Sequence, residues 1–172
     1  LIVNGSEHKH PEPKTLDWRP DKMVAHYEVD GVKIREDKFI SRDDVLTTVM
    51  VSDQDVEIRF EGESFWEDSK VPTFDGDTMG GIISRTCESE ITFDKSSNAM
   101  RVLEAGTAVV KPLYGEPATV GRMMYDGLSF VYSSSVPMAD VKSFEQSKGN
   151  LGYSFVLKLP AGQPVSLTLA VA

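Results

Sequence analysis

The stretch YSFVLKLPAGQPVSLTLAVA, residues Tyr153 to Ala172, decides the fold class. Two apolar-rich runs flank a short segment that contains Pro160, Gly162 and Pro164, which are residues typical of turns. We predict a strand, a tight turn and a second strand that close the domain as a hairpin. The second run is the more uniformly apolar of the two, which favours a strand inside a sheet over an edge strand.

The same β pattern recurs along most of the chain. Residues 55–62, DVEIRFEG, alternate strictly between apolar and charged side chains, as expected for a half-buried antiparallel strand. Asp30-Gly31 lies between two apolar-rich runs and predicts a type I′ hairpin, because both central positions of that turn need positive φ. Asp126-Gly127 predicts a second hairpin of this kind. Further strands are predicted at Asp44–Ser52, Ile82–Asp94, Ala99–Glu104 and Thr107–Pro112.

Two long connections interrupt the strands, at Glu63–Gly81 and Ser135–Asn150, and the second is expected to hold a short helix around Met138–Gln146. The pattern predicts an all-β chain, an antiparallel β-sandwich of about ten to twelve strands with two long loops. A closed barrel is the alternative. We expect the interior to include these residues: Leu46, Val49, Val51, Val56, Ile58, Phe60, Phe155, Leu157 and Leu167.

The chain length of 172 residues suits one domain. Residues 1–22 are polar and contain three prolines, which predicts an extended lead-in. Residues 23–172 are predicted to form a single β-sandwich domain. We further expect Ala172 to be an edge of the domain rather than the end of the protein, with any chemistry beyond it.

Charge excludes several classes of partner. The net charge of −9 would repel a phosphate backbone or an anionic membrane surface, so we expect no nucleic-acid binding. No apolar run reaches the length of about 18 residues that a membrane helix needs, so no membrane insertion is expected. The one cysteine, Cys87, excludes an internal disulfide. The compartment stays open, with a periplasmic or secreted location favoured over a cytoplasmic one.

No motif for a nucleotide, a serine nucleophile or an EF-hand is present, so catalytic residues stay unknown. Asp75 and Asp77 lie two apart in a loop and are the candidate metal ligands, for calcium, because paired carboxylates supply several hard oxygens. The alternative is an ordinary Asp-rich turn, and no other cofactor is expected.

Aromatic residues in polar loops are candidates for contact with a ligand or a neighbouring domain: Trp18, Phe65, Trp66 and Phe74. Met79, Met138 and Phe144 also lie in the long connections and are candidates for docking. The alternative for all of them is packing against this domain's own core.

The succession YEVDGVKIREDKFISRDDVLTTVMVS, VEIRFEG and FVLKLPAGQPVSLTLAVA resembles the β-sandwich that precedes the catalytic barrel in bacterial (α/α)6-barrel glycoside hydrolases. The resemblance covers most of residues 24–172 and extends to the glucoamylase-like, trehalase-like and debranching-enzyme-like groups. It implies a supporting domain whose catalytic carboxylates lie elsewhere, so none is assigned to this chain.

Three functions therefore stay open. The first is a non-catalytic β-sandwich module of a carbohydrate-active enzyme, with a second domain or chain of that enzyme as partner. The second is a stand-alone secreted or periplasmic sandwich that binds a carbohydrate or another ligand. The third is a small all-β enzyme with an unidentified carboxylate site.

Overall fold

A computed structural model of the chain describes residues 1–3, 5–64, 69–73, 81–87, 89–104, 106–112, 128–147 and 150–171. Those residues contain sixteen strands and no helix. The strands are β1 (Ile2–Val3), β2 (Ser6–Glu7), β3 (Thr15–Trp18), β4 (Met23–Val29), β5 (Val32–Ile40), β6 (Leu46–Ser52), β7 (Val56–Glu63), β8 (Ser69–Thr73), β9 (Gly81–Cys87), β10 (Glu90–Asp94), β11 (Ala99–Glu104), β12 (Gly106–Pro112), β13 (Leu128–Ser134), β14 (Ala139–Ser147), β15 (Asn150–Leu159) and β16 (Val165–Val171).

Thirteen of these strands form two antiparallel sheets, which confirms the predicted all-β sandwich. The large sheet has eight strands in the order β10-β11-β13-β16-β6-β5-β4-β3, and the small sheet has five in the order β14-β15-β7-β1-β2. Strands β8, β9 and β12 form a third, three-stranded antiparallel sheet. The strand count exceeds the expected ten to twelve because several strands are short.

The main core lies between the large and the small sheet, and both contribute buried side chains to it. Phe60 and Phe155 of the small sheet stack at 5.3 Å between ring centroids. The ring of Phe155 also lies 6.0 Å from that of Tyr132, which belongs to the large sheet. The inner faces of the two sheets therefore pack directly against each other. The buried apolar members are Val3, Val32, Ile34, Met50, Val56, Met100, Val102, Met138, Tyr153, Phe155, Leu157, Leu159, Val165 and Leu167.

The last two strands do not form the predicted closing hairpin. Strand β15 pairs with β14 and β7 in the small sheet, whereas β16 pairs with β13 and β6 in the large sheet. The chain therefore crosses from one sheet to the other between them. In this arrangement each of the two apolar strands has a hydrogen-bonded neighbour on both sides. A hairpin at the end of a sheet would leave one of them with a neighbour on one side only. The prediction that β16 is an interior strand is confirmed.

A second crossing connects β6 to β7, and the two crossings are bonded to each other. Gly162 donates its backbone N–H to the carbonyl oxygen of Ser52 at 2.7 Å, and Ala161 donates to the Asp55 carboxylate at 2.8 Å. Gly162 has a φ of 69°, which glycine adopts without steric cost. These contacts fix the corner at which the chain changes sheets.

The hairpin predicted at Asp30-Gly31 is confirmed. Val29 lies opposite Val32, and the two turn residues have φ values of 50° and 79°. The second predicted Asp-Gly hairpin lies outside the described residues.

Three local predictions were wrong. The expected helix around Met138–Gln146 is strand β14, because pairing with β15 supplies its backbone hydrogen bonds. The predicted single strand Ile82–Asp94 is divided into β9 and β10, which belong to different sheets. The expected loop Glu63–Gly81 contains strand β8.

The predicted core of β6 was also wrong. Leu46 is exposed, and Val49 and Val51 are only half-buried, because the inner face of this strand carries Thr48 and Met50 instead. A strand with apolar residues on both faces gives no clear period, so the sequence could not decide which face lies inside. The other predicted core residues are buried or half-buried against the core: Val56, Ile58, Phe60, Phe155, Leu157 and Leu167.

Residues 1–22 are largely extended and contribute three short strands. Strand β1 pairs with β2 and with β7, and β3 pairs with β4 as an edge strand of the large sheet. The described residues contain no helix that could cross a membrane.

Candidate interaction face and interior cavity

Trp18 lies at the end of the edge strand β3 and is 74% exposed. The register shows which side of the sheet it occupies. Trp18 lies opposite Met23, Met23 opposite Lys38, and Lys38 opposite Thr48. Residues directly opposite each other in an antiparallel ladder project from the same face. Because Thr48 is buried in the sandwich, Trp18 lies on the inner face of the large sheet, where the small sheet does not cover it.

Other exposed apolar side chains share this face. Leu16 lies opposite the buried Ala25, and Ile40 lies opposite Leu46, which lies opposite Leu169. Of the six exposed large apolar side chains among the described residues, five are on this inner face. We call this surface the open inner face, and its members are Leu16, Trp18, Ile40, Leu46 and Val171.

Paired charges lie on the outer face of the same strands, since Asp17 lies opposite Val24 and Val24 lies opposite Asp37, one position away from Trp18 and Met23. Asp17 accepts a hydrogen bond from Arg19 at 3.1 Å, and Lys22 donates to Asp37 at 2.7 Å. Hydrogen bonding from Arg35, together with the Lys22 contact, holds the pKa of Asp37 below its ordinary value. The two faces of the sheet therefore differ here, and a group of exposed apolar side chains such as the open inner face is typical of an interaction site.

A cavity of about 310 Å³ lies where the inner faces of the two sheets separate, beside the lead-in. Tyr27, Ile34, Glu36 and Met50 line it from the large sheet. Ile58, Arg59 and Phe60 line it from β7, and Leu1, His10 and Pro11 line it from the lead-in. The walls are mainly apolar and carry a few polar groups, which is the usual composition of a small-molecule site.

Glu36 is the buried charge of this cavity, at 9% exposure. The Tyr27 hydroxyl donates to its Oε2 at 2.9 Å, and Lys38 Nζ lies 3.1 Å from its Oε1. Burial, followed by the charge and the hydrogen bond of Glu36, raises the pKa of Tyr27 to about 12. The phenol is therefore neutral and acts as a hydrogen-bond donor at ordinary pH.

Arg59 lies opposite Val156, so its side chain projects from the outer face of the small sheet, where its Nη1 donates to Glu7 Oε1 at 2.9 Å. The charge of Arg59 therefore lies outside the cavity, and that of Glu36 is offset by Lys38. The cavity consequently combines polar groups with little uncompensated charge.

Most of the predicted contact and metal residues, namely Phe65, Trp66, Phe74, Asp75, Asp77 and Met79, lie outside the described residues. In the described part of the chain, no group of three or more His, Cys, Asp or Glu side chains could hold a metal ion. The carboxylates of Asp53 and Asp55 instead accept backbone N–H groups of Lys33 and Ala161 at turns.

Of the two docking candidates among the described residues, one belongs to the core and the other is exposed. Met138 is buried in the core. Phe144 is 50% exposed, and its ring covers Gly152 on the outer side of the small sheet.

The sequence did not predict the hydrogen bond between Tyr27 and Glu36. It also did not predict which other apolar side chains share the open inner face with Trp18. A signal for the pair was available. One side of strand β5 carries Val32, Ile34, Glu36, Lys38 and Ile40, so a carboxylate and an ammonium group stand next to each other between apolar residues.

No family model and no curated protein matches this chain. Among solved structures, the chain is similar to one described as a kojibiose phosphorylase from the human microbiome, at 10% sequence identity and a TM-score of 0.35. The match covers 88% of this chain and 17% of that chain.

Proposed function

We propose that this chain is a non-catalytic β-sandwich module of a carbohydrate-active protein of the glycoside hydrolase kind. In this proposal it supports or covers an active site on a second domain or chain. The observation that carries the proposal is the open inner face, on which five exposed apolar side chains lie on the core side of the large sheet.

A sheet face of this kind is stabilised when another surface removes it from water. The occupant is a different domain or chain rather than a second copy, because two copies of a chain with net charge −9 repel each other. Trp18 is the predicted centre of the contact, since tryptophan is enriched among the residues that dominate interface energies. Phe65, Trp66 and Phe74 remain predicted contact residues.

The non-catalytic part of the proposal rests on the sequence resemblance, which implies that the catalytic carboxylates lie outside this chain. The buried carboxylate of Glu36 is bonded by Tyr27 at one oxygen and by Lys38 at the other, which suits a structural or binding role.

The carbohydrate part rests on the sequence resemblance over residues 24–172 and on the exposed ring of Trp18. The same ring favours a second candidate function, a stand-alone sandwich that binds a carbohydrate through Trp18. In that case sugar, not protein, would cover the open inner face.

The test uses the natural polypeptide or complex that contains this domain. Trp18→Ser and Ile40→Ser remove apolar contacts from the open inner face. The control is Phe144→Ser, which removes another exposed large apolar side chain, from the other sheet. In calorimetry, we expect this domain to unfold in a separate transition from the rest of the polypeptide or complex in each of the two face variants. The control variant should keep the unfolding behaviour of the wild type.

A docked module that unfolds independently in the wild type would contradict the proposal. Concentration-dependent dimers of this chain alone would show that a second copy occupies the face. Protection of Trp18 by sugars, without a protein partner, would favour the second candidate.

A further inference from the structure

Strand β3, at the edge of the large sheet, offers backbone hydrogen-bonding groups as well as exposed side chains. It pairs with β4 on one side, and no described strand pairs with its other side. All four of its residues, Thr15 to Trp18, are exposed. An edge of this kind is a template on which a further strand can form.

The backbone hydrogen bonds show which residues of β3 face β4. Arg19 and Lys22 continue the register of the two strands, and Arg19 donates its N–H to the carbonyl oxygen of Lys22 at 2.9 Å. Hydrogen-bonded pairs alternate with non-hydrogen-bonded pairs along an antiparallel ladder. Asp17 therefore bonds to β4, whereas the N–H and C=O groups of Leu16 and Trp18 point to the free side.

A second contact agrees with this alternation. Lys14 donates its N–H to the carbonyl oxygen of His26 at 2.7 Å, so the backbone of His26 faces β3. His26 lies opposite Thr15 in the register. Thr15, like Asp17 two positions later, therefore bonds to β4, and the backbone groups of Leu16 between them are directed away from it.

The side chains of Leu16 and Trp18 give this edge its specificity. Both belong to the open inner face and are exposed. A strand bonded to these two residues would place its own side chains opposite them on the same face. Apolar residues at those positions would continue the apolar surface and remove it from water. The edge therefore suits an extended segment with apolar residues at alternate positions.

Asp17 determines the residue between those two apolar positions. In an added strand, the residue opposite Asp17 is its direct neighbour, and an opposite charge there is favourable. A basic residue also complements the net charge of −9 of the chain. The same relation disfavours a second copy of β3, because antiparallel pairing centred on Asp17 would place two aspartates opposite each other.

The other outer strands of the two main sheets lack this combination in the described part of the chain. Strand β2 has two residues, and β14 has two shifts of register. The apolar side chains of β10, Ile91 and Phe93, pack against the core. Short edges and bulges discourage the addition of a strand. Strand β3 is thus the edge that best accepts one.

We propose that β3 binds an extended segment of the docked domain or chain as an added antiparallel strand. Apolar residues of that segment lie opposite Leu16 and Trp18, and a Lys or Arg lies opposite Asp17. Main-chain hydrogen bonds supply the affinity of such a contact, and alternate side chains supply its specificity. The inference rests on the proposed function and specifies what the partner places at the edge of the open inner face.

Hydrogen exchange at single-residue resolution tests this in the isolated 172-residue chain and in the natural polypeptide or complex that contains it. In the isolated chain, the amides of Leu16 and Trp18 should exchange faster than that of Asp17, which is bonded to β4. In the natural polypeptide or complex, exchange at Leu16 and Trp18 should slow about tenfold, the effect of an ordinary hydrogen bond.

Two substitutions at one position separate strand addition from side-chain packing. Leu16→Ala removes the side chain and keeps the N–H, whereas Leu16→Pro removes both. Proline is tolerated on an edge strand where the N–H faces solvent, so the Leu16→Pro domain should fold. Leu16→Pro should abolish the protection of the Trp18 amide, and Leu16→Ala should retain it. The wild-type comparison decides the proposal even if Leu16→Pro does not fold.

Two results would overturn the proposal and leave docking intact. One is equal exchange of the Leu16 and Trp18 amides in both samples although calorimetry shows the domain docked. The other is equal protection of the Trp18 amide in Leu16→Pro and Leu16→Ala. Protection that grows with the concentration of the isolated chain would also overturn it, because a second copy then takes the edge. If the wild-type domain unfolds independently, docking fails and this inference fails with it.

Discussion

The hydroxyl oxygens of Tyr132 and Tyr153 lie 2.6 Å apart in the interior, and each main sheet contributes one of them. Tyr153 is buried and its pKa is raised, first by burial and then by the hydrogen bond with Tyr132. This bond is a polar connection across a core that consists mainly of apolar side chains.

Removing one hydroxyl should leave the other without its partner. Tyr153→Phe and Tyr132→Phe should each lower the free energy of unfolding by about 1–3 kcal/mol. The double variant should lose less than the sum, because it leaves no hydroxyl unpaired. Urea unfolding of the four proteins measures this coupling, and strictly additive losses would contradict the account.

The raised pKa of Tyr27 predicts how stability falls at high pH. An unfolded tyrosine ionises near pH 10, whereas Tyr27 in the folded protein ionises near 12. Its contribution to stability is therefore complete below about pH 10 and is lost as the pH rises towards 12. The stability advantage of wild type over Tyr27→Phe should shrink across that interval in urea unfolding. A difference that stays constant with pH would show that Tyr27 does not titrate as described.

The lowered pKa of Asp94 predicts how stability falls at low pH. Hydrogen bonds from Ser96 and Ser97 lower the pKa of its carboxyl to about 2 from an ordinary value of 3.8. Its contribution is complete above pH 4 and is lost as the pH falls towards 2. Asp94→Asn should therefore lose less stability than wild type between these values. Carboxyl NMR titration gives a direct check, and a midpoint near 4 for Asp94 would refute the prediction.

Two glycines of the small sheet form a matched pair for packing. A Cβ at Gly62 would lie 2.3 Å from the ring of the buried Tyr153, and a Cβ at Gly152 would lie 2.4 Å from the ring of the half-exposed Phe144. The Phe144 ring can move into solvent, whereas the Tyr153 ring is confined by the core and by Tyr132. Gly62→Ala should thus cost about 1–3 kcal/mol, and Gly152→Ala clearly less. Equal losses in urea unfolding would be evidence against this difference in packing.

Much of the fold could be predicted from local pattern. The alternation in residues 55–62 and the Asp30-Gly31 turn depend on neighbours in sequence, and both predictions are confirmed. The crossing between β15 and β16 depends on pairing with strands that lie far earlier in the chain, namely β7 and β6. Local sequence does not determine such long-range pairings. The prediction that β15 and β16 form a hairpin was therefore wrong.

The candidate site was less predictable for the same reason. Trp18 could be identified because a tryptophan in a polar segment is unusual. Its neighbours on the open inner face, Ile40 and Leu46, lie on strands whose relation to β3 only the sheet order reveals. Glu36 has the alternation of an inner residue, but its partner Tyr27 is known only from the register of β4 with β5.

The central claim is that another domain or chain covers the open inner face, and the accessibility of Trp18 tests it most directly. The chain has two tryptophans, so Trp66→Phe leaves Trp18 as the sole emitter. Acrylamide is the suitable quencher because it is neutral and is not repelled by the acidic chain. We predict strong quenching in the isolated chain and severalfold weaker quenching in the natural polypeptide or complex. Equal quenching in both would contradict the claim.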